Sequence, residues 1–130
     1  METESTRLLK HELRTPMNHI AGYGALLLES AEDDGREDIV QQASGIQACA
    51  KDLVLGLERA LRIDSTSAAS NSPNVFHQEL SPIMRKLSEQ LDLIDDLPDA
   101  IVYRGDLNKI RTAIQRLGTA IDARRSDVGV

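Results

Sequence analysis

The first half of the chain carries its apolar side chains at helical spacing. Leu9, Leu13, Met17, Ile20, Gly24 and Leu27 follow one another at steps of 4, 4, 3, 4 and 3, which lines one face of a helix predicted from about Thr6 to Ser30. Residues 31–36, Ala-Glu-Asp-Asp-Gly-Arg, are polar around a glycine and predict the turn of an antiparallel helical hairpin. A second helix is predicted over roughly 37–64. There Ile39, Ala43, Ile46, Ala50, Leu53, Leu57 and Ala60 repeat at 4, 3, 4, 3, 4 and 3, a heptad stripe.

More apolar residues lie off these two lines: Leu8, Leu26 and Leu28 on the first helix, and Val40, Val54, Leu55, Leu61 and Ile63 on the second. One hairpin cannot cover stripes that wide, whereas two hairpins can, so the surplus predicts a homodimer closed as a four-helix bundle. Residues 65–74, rich in Ser, Ala and Asn, read as a linker. Beyond it Val75-Phe76-His77 reads as a short strand. Ser81-Pro82 reads as a helix start, with serine capping and proline in the first turn. Ile83, Leu87, Leu91 and Ile94 give that helix its apolar face, and Pro98 closes it. Ala100–Tyr103 reads as a second strand, and Gly105-Asp106 opens a helix carrying Ile110, Ala113, Ile114, Leu117 and Ile121. The expected fold is therefore mainly α: an antiparallel hairpin (1–64) forming a dimeric four-helix bundle, the linker, and a small α/β segment (75–130).

Composition narrows this picture. Only Tyr23, Phe76 and Tyr103 are aromatic among 130 residues, and a core of Leu, Ile, Val and Ala favours helix-on-helix packing. A net charge of −6 speaks against nucleic-acid binding. Apart from Arg124-Arg125 the cations are scattered, no apolar run approaches a membrane span, and the N-terminus lacks a signal-peptide pattern. The segment is expected to be cytoplasmic, with no membrane contact of its own. Cys49, the single cysteine, sits in an apolar helical pattern and reads as a small buried thiol. No metal site and no cofactor-binding residue is expected.

The candidate chemistry is concentrated in one octet, His11-Glu12-Leu13-Arg14-Thr15-Pro16-Met17-Asn18. His11 lies two residues from both Leu9 and Leu13 and so projects about 200° from the apolar seam, toward solvent. Its ring offers a lone pair for attack on phosphorus, and Glu12 can accept a hydrogen bond from the other ring nitrogen. Thr15 stands one turn on, on the same face, where its hydroxyl can orient a water. Pro16 has no N–H for the carbonyl of Glu12 and predicts a helix bend just past the histidine. Taken singly, an exposed histidine beside a glutamate is ordinary surface, and a proline within a helix is ordinarily a boundary.

As a string, the octet resembles the phospho-acceptor motif of two-component sensor histidine kinases. The match to their dimerisation and histidine-phosphotransfer domain covers roughly residues 6–64. The resemblance implies that His11 accepts a phosphoryl group and passes it to an aspartate of a response-regulator receiver domain, with Glu12 assisting. It implies that Thr15 supports dephosphorylation of the regulator, and that Asn18, His19 and Gly22 contact it. For His19 and His77 the plain solvent-exposed reading is preferred. Residues 75–122 weakly resemble the start of the family's ATP-binding domain. They depart from it where Gln115-Arg116-Leu117-Gly118-Thr119-Ala120-Ile121-Asp122 contains no asparagine to hold Mg²⁺. No ATP or Mg²⁺ site is thus expected in this chain; both would enter only through a complete catalytic domain in a parent protein. The readings left open are a histidine kinase's phospho-acceptor region, an ATP-independent histidine phosphotransferase, and a non-catalytic dimerisation and signal-transmission module of another effector such as a cyclase or phosphatase.

Overall fold

The computed structural model describes residues 4–66 and 75–128, and every regular element among them is helical. The order is α1 (Glu4–Asp33), α2 (Glu37–Thr66), α3 (Val75–Asp95), a 3₁₀ turn at Ala100–Tyr103, and α4 (Arg104–Val128). Helix α1 packs against α2 and α4, α2 against α3, and α3 touches α4. Each neighbouring pair is antiparallel, as the cross-contacts require: Arg14 faces Glu58 and Gly24 faces Gln47 across α1 and α2, Arg59 meets Glu79 and Gly56 meets Leu80 across α2 and α3, and Tyr23 lies under Lys109 across α1 and α4. The four helices close a ring within one chain.

Packing follows the heptad pattern. On α1, Leu9, Leu13, Met17, Ile20 and Leu27 are buried, and on α2 so are Ile39, Ala43, Ile46, Ala50, Leu53, Leu57 and Ala60. The rest of the same core comes from α3 (Phe76, Leu80, Leu87, Leu91, Ile94) and α4 (Leu107, Ile110, Ala113, Leu117, Ile121). Of the off-line surplus, Leu28, Val40, Val54 and Leu61 pack against this core, while Leu8, Leu26, Leu55 and Ile63 stay exposed. Half of the surplus that suggested a second hairpin is thus packed within the single chain. Cys49 is buried, and burial raises its thiol pKa, which suits an inert core residue.

The α1–α2 turn is built on Gly35, whose φ of 69° is the left-handed conformation that costs glycine nothing. Gly35 N–H donates to the Glu32 carbonyl (3.1 Å) and Arg36 N–H to the Ala31 carbonyl (2.9 Å), a Schellman closure of α1. Glu37 and Asp38 then place negative charge at the start of α2, where the helix dipole favours it. The α3–α4 connection is tied to this turn. Arg36 Nη2 donates to the Pro98 carbonyl (2.9 Å) and to Asp38 (3.0 Å), and the Tyr103 hydroxyl donates to Asp34 Oδ2 (2.5 Å). Arg111 holds the other side through Asp92 (3.2 Å) and Asp95.

The expected α/β segment is not formed. Val75 and Phe76 have strand-forming side chains, but both are buried as the first turn of α3, in line with Leu80 and Leu87. The burial gained on the bundle outweighs local β preference. The predicted start at Ser81-Pro82 is also displaced: α3 begins at Val75 and runs through Pro82, which sits exposed inside the helix. At Ala100–Tyr103 burial alternates with a period of three, not two. Ala100 and Tyr103 are buried, while Ile101 and Val102 are 68% and 72% exposed, the pattern of a 3₁₀ turn. Ser65 and Thr66 belong to α2, and the rest of the expected linker lies outside the described residues. No helix among the described residues is long and apolar enough to cross a membrane.

Two predictions follow from the packing and the turn. A Cβ on Gly56 would stand 3.1 Å from Leu80 Cδ2 and 3.4 Å from the Glu79 carbonyl, whereas a Cβ on Gly22 meets nothing within 4 Å. Gly56→Leu should lower unfolding free energy by about 1–3 kcal/mol through overpacking. Gly22→Ala should raise it by about 0.5–1 kcal/mol through helix propensity. Urea denaturation followed by circular dichroism measures both, and equal effects at the two sites would contradict the helix packing described. The hydrogen bond to Asp34, aided by burial, raises the pKa of Tyr103. A raised folded-state pKa means that this contribution is whole below about pH 10 and is lost as pH climbs through the folded value. Tyr103→Phe should therefore cost about 1 kcal/mol at neutral pH. The gap between wild type and variant should narrow in urea titrations at pH 11.

Candidate functional site

Helix α1 carries the octet on its outer flank. Leu13 and Met17 point into the core, and Pro16 is buried too, while His11, Glu12, Thr15 and Asn18 are exposed. The helix runs through Pro16 unbroken. Proline offers no donor to the Glu12 carbonyl, so α1 lacks one backbone hydrogen bond one turn from the histidine. Thr15 Oγ1 donates to the His11 carbonyl at 2.9 Å, which ties the hydroxyl proton to the backbone of the same turn. The Thr15 oxygen keeps its lone pairs and can still accept a hydrogen bond from a water.

The site is not made by α1 alone. His11, Glu12, Thr15 and Pro16 form one wall of an open groove of about 720 Å³, and α4 supplies the other wall with Thr112, Gln115, Arg116, Thr119, Ala120 and Ala123. Thr112 and Thr119 turn their hydroxyls back to the carbonyls of Asn108 (3.0 Å) and Gln115 (2.9 Å). What they leave to the groove is largely methyl surface. A smaller cavity of about 260 Å³ continues along the same seam between His19 and Tyr23 of α1 and Asn108, Lys109, Thr112, Ala113 and Arg116 of α4. Lys109 Nζ sits 5.1 Å from the centre of the Tyr23 ring, within cation–π range, and the His19 ring is tilted against Tyr23 with centroids 6.2 Å apart.

The predicted residues divide accordingly. His11, Glu12 and Thr15 come together at one groove, with Pro16 beneath them, and His19 borders the adjoining cavity. Asn18 and Gly22 are exposed but border neither cavity. His77, on α3, is half-buried and lies away from this seam. Neighbouring residues on a helix diverge by about 100°, so Glu12 reaches His11 only when both side chains turn into the groove they share. Among the described residues no group of three or more His, Cys, Asp or Glu side chains is placed to hold a metal ion.

Sequence reading missed the α4 wall. In the sequence, Arg116 and Thr119 stand out only as members of a segment without asparagine, and Lys109 belongs to no motif. The usable signal was the length of the apolar stripe from Tyr103 to Ile121, which marks a helix long enough to lie along α1. Comparison of the chain with protein-family models, with curated proteins and with solved structures returns no match.

Proposed function

We propose that this protein is a phosphorelay component in which His11 accepts a phosphoryl group and transfers it to an aspartate of a receiver domain. The observation that carries this reading is the convergence of His11, Glu12 and Thr15 on one groove of about 720 Å³, open to a partner and walled by a cationic residue, Arg116. An exposed histidine without a cavity would remain ordinary surface. Here the ring has room beside it for a phosphoryl group and a way in for its donor.

The chemistry needs little more from the chain. With a phosphorylated receiver as donor, an imidazole nitrogen of His11 forms the N–P bond as the acyl phosphate P–O bond breaks and the aspartate leaves as carboxylate. Glu12, accepting a hydrogen bond from the other ring N–H, steadies the positive charge that the phosphorylated ring carries. In the forward direction the receiver carboxylate attacks phosphorus and the imidazole departs neutral, keeping that N–H. Thr15, with its proton committed to the His11 carbonyl, acts toward water as an acceptor. Asn18, His19 and Gly22 extend the contact surface for the receiver along α1.

The residues at 115–122 do not fit a nucleotide–Mg²⁺ site, since the segment holds no asparagine and Asp122 is its one carboxylate. ATP and Mg²⁺ would act through a catalytic domain of a parent protein or of a partner. Residues 75–128 serve in this reading as half of the bundle and as the far wall of the phosphoryl site. The homodimer is not required for the bundle to close, because α3 and α4 occupy two positions around the core. A receiver partner implies a cytoplasmic setting.

The test is direct labelling. Incubated with receiver domains carrying ³²P-phosphoaspartate, the protein should acquire acid-labile, base-stable phosphate, and His11→Gln should remove it with the circular dichroism spectrum unchanged. If no receiver and no complete kinase catalytic domain labels a folded wild-type protein, the phosphorelay reading fails and a non-catalytic module remains.

A further inference from the structure

The two cavities on the α1–α4 seam are parts of one groove, because Thr112 and Arg116 border both. Its lining carries more cations than carboxylates. The chain has a net charge of −6, yet the groove sets Lys109 and Arg116, beside the imidazoles of His11 and His19, against a single carboxylate, Glu12. Four arginines elsewhere face acids: Arg14 with Glu58, Arg36 with Asp38, Arg59 with Glu79, and Arg111 with Asp92 and Asp95. Lys109 is drawn over the Tyr23 ring. Arg116 forms no ion pair with the described residues, although it sits where the two cavities meet and shares the larger one with His11.

We propose that this groove is a phosphoryl-anion subsite and that Arg116 holds the non-bridging oxygens of the phosphoryl group at His11. The proposal rests on His11 being the phosphoryl acceptor and adds the group that binds the charge being transferred. A guanidinium presents paired N–H donors that match two oxygens of a phosphoryl group, and its charge does not depend on pH in the working range. Facing walls suit the task. Neighbouring helix axes lie about 8–10 Å apart, a gap that an arginine from one helix and a phosphorylated histidine from the other span together. The methyl surface of Thr112 and Thr119 lowers the competition from water around that contact.

Two measurements separate this subsite from the reading beneath it. In the first, inorganic phosphate is titrated into the ¹⁵N-labelled full chain at constant ionic strength. The His11 ring and Arg116 side-chain signals should shift together and saturate. Arg116→Gln should weaken the effect about tenfold, and Arg116→Lys should weaken it less, since lysine keeps the charge and loses the paired donors. Arg116 is exposed, so its replacement should leave the helical spectrum intact. In the second, phosphoramidate phosphorylates His11 with no partner present; its P–N bond breaks as the histidine N–P bond forms, and ammonia leaves. Arg116→Gln should slow this labelling about tenfold. Equal phosphate affinity and equal labelling in wild type and Arg116→Gln would overturn the subsite while leaving His11 as an acceptor. Phosphate binding at Arg116 without label on His11 from phosphoramidate or any receiver would instead retire the phosphorelay reading, and with it the proposed role of the groove in transfer.

Discussion

The width of the apolar stripes on α1 and α2 is the constraint from which the rest of the structure follows. A helix that buries residues at alternating steps of three and four needs one neighbour; a helix with further apolar residues beside that line needs two. Both α1 and α2 are of the second kind. Pairing them satisfies one flank of each and leaves the other open, so two more helical faces are required. Helix α3 closes the flank of α2 and α4 closes that of α1. The same chain supplies both, and the surface beside His11 becomes a groove between two helices rather than an open face.

That geometry explains how far the sequence could be read. Every position of the two stripes from Leu9 to Leu27 and from Ile39 to Ala60 is buried, since helical periodicity is a local property that tertiary packing here only reinforces. The turn was legible too, because Gly35 alone among residues 31–36 takes a left-handed backbone without strain. The second half was harder. Val75-Phe76 and Ile101-Val102 are β-formers in isolation, and nothing local reveals that the first pair lies on the stripe of Leu80 and Leu87 while the second is left in solvent on a 3₁₀ turn. A proline at 82 with a serine before it is a sound start signal, overridden because Pro82 faces out and a helix already under way tolerates one missing donor at its surface. The octet was legible because its chemistry is contiguous. Its opposite wall was not, because Arg116 comes to line the groove of His11 only through the antiparallel docking of α4 on α1.

The bundle also keeps its polar chemistry at the surface. No polar or charged side chain among the described residues is fully buried, so the core sets position and polar side chains stand at the surface. The octet illustrates the division within one helix: Leu13, Pro16 and Met17 anchor the segment, and His11, Glu12 and Thr15 are presented by it. The missing hydrogen bond at Pro16 and the hydroxyl bond from Thr15 to the His11 carbonyl fall in the same turn. The hydroxyl bond goes to the His11 carbonyl, one residue before the Glu12 carbonyl that Pro16 leaves without a helical donor.

Cations line the groove of an otherwise acidic molecule. At physiological ionic strength interactions between exposed charges fade over about 8 Å. An anion inside the groove therefore senses chiefly the side chains that line it, and the excess carboxylates elsewhere act mainly on its approach. Along the α1–α4 seam Lys109 and Arg116, with two imidazoles beside them, face one glutamate. Under the proposed function this asymmetry does more than attract. It orients an acidic receiver so that its phosphorylated carboxylate arrives beside His11, and an exchange between two weakly held partners depends on that orientation more than on tight binding.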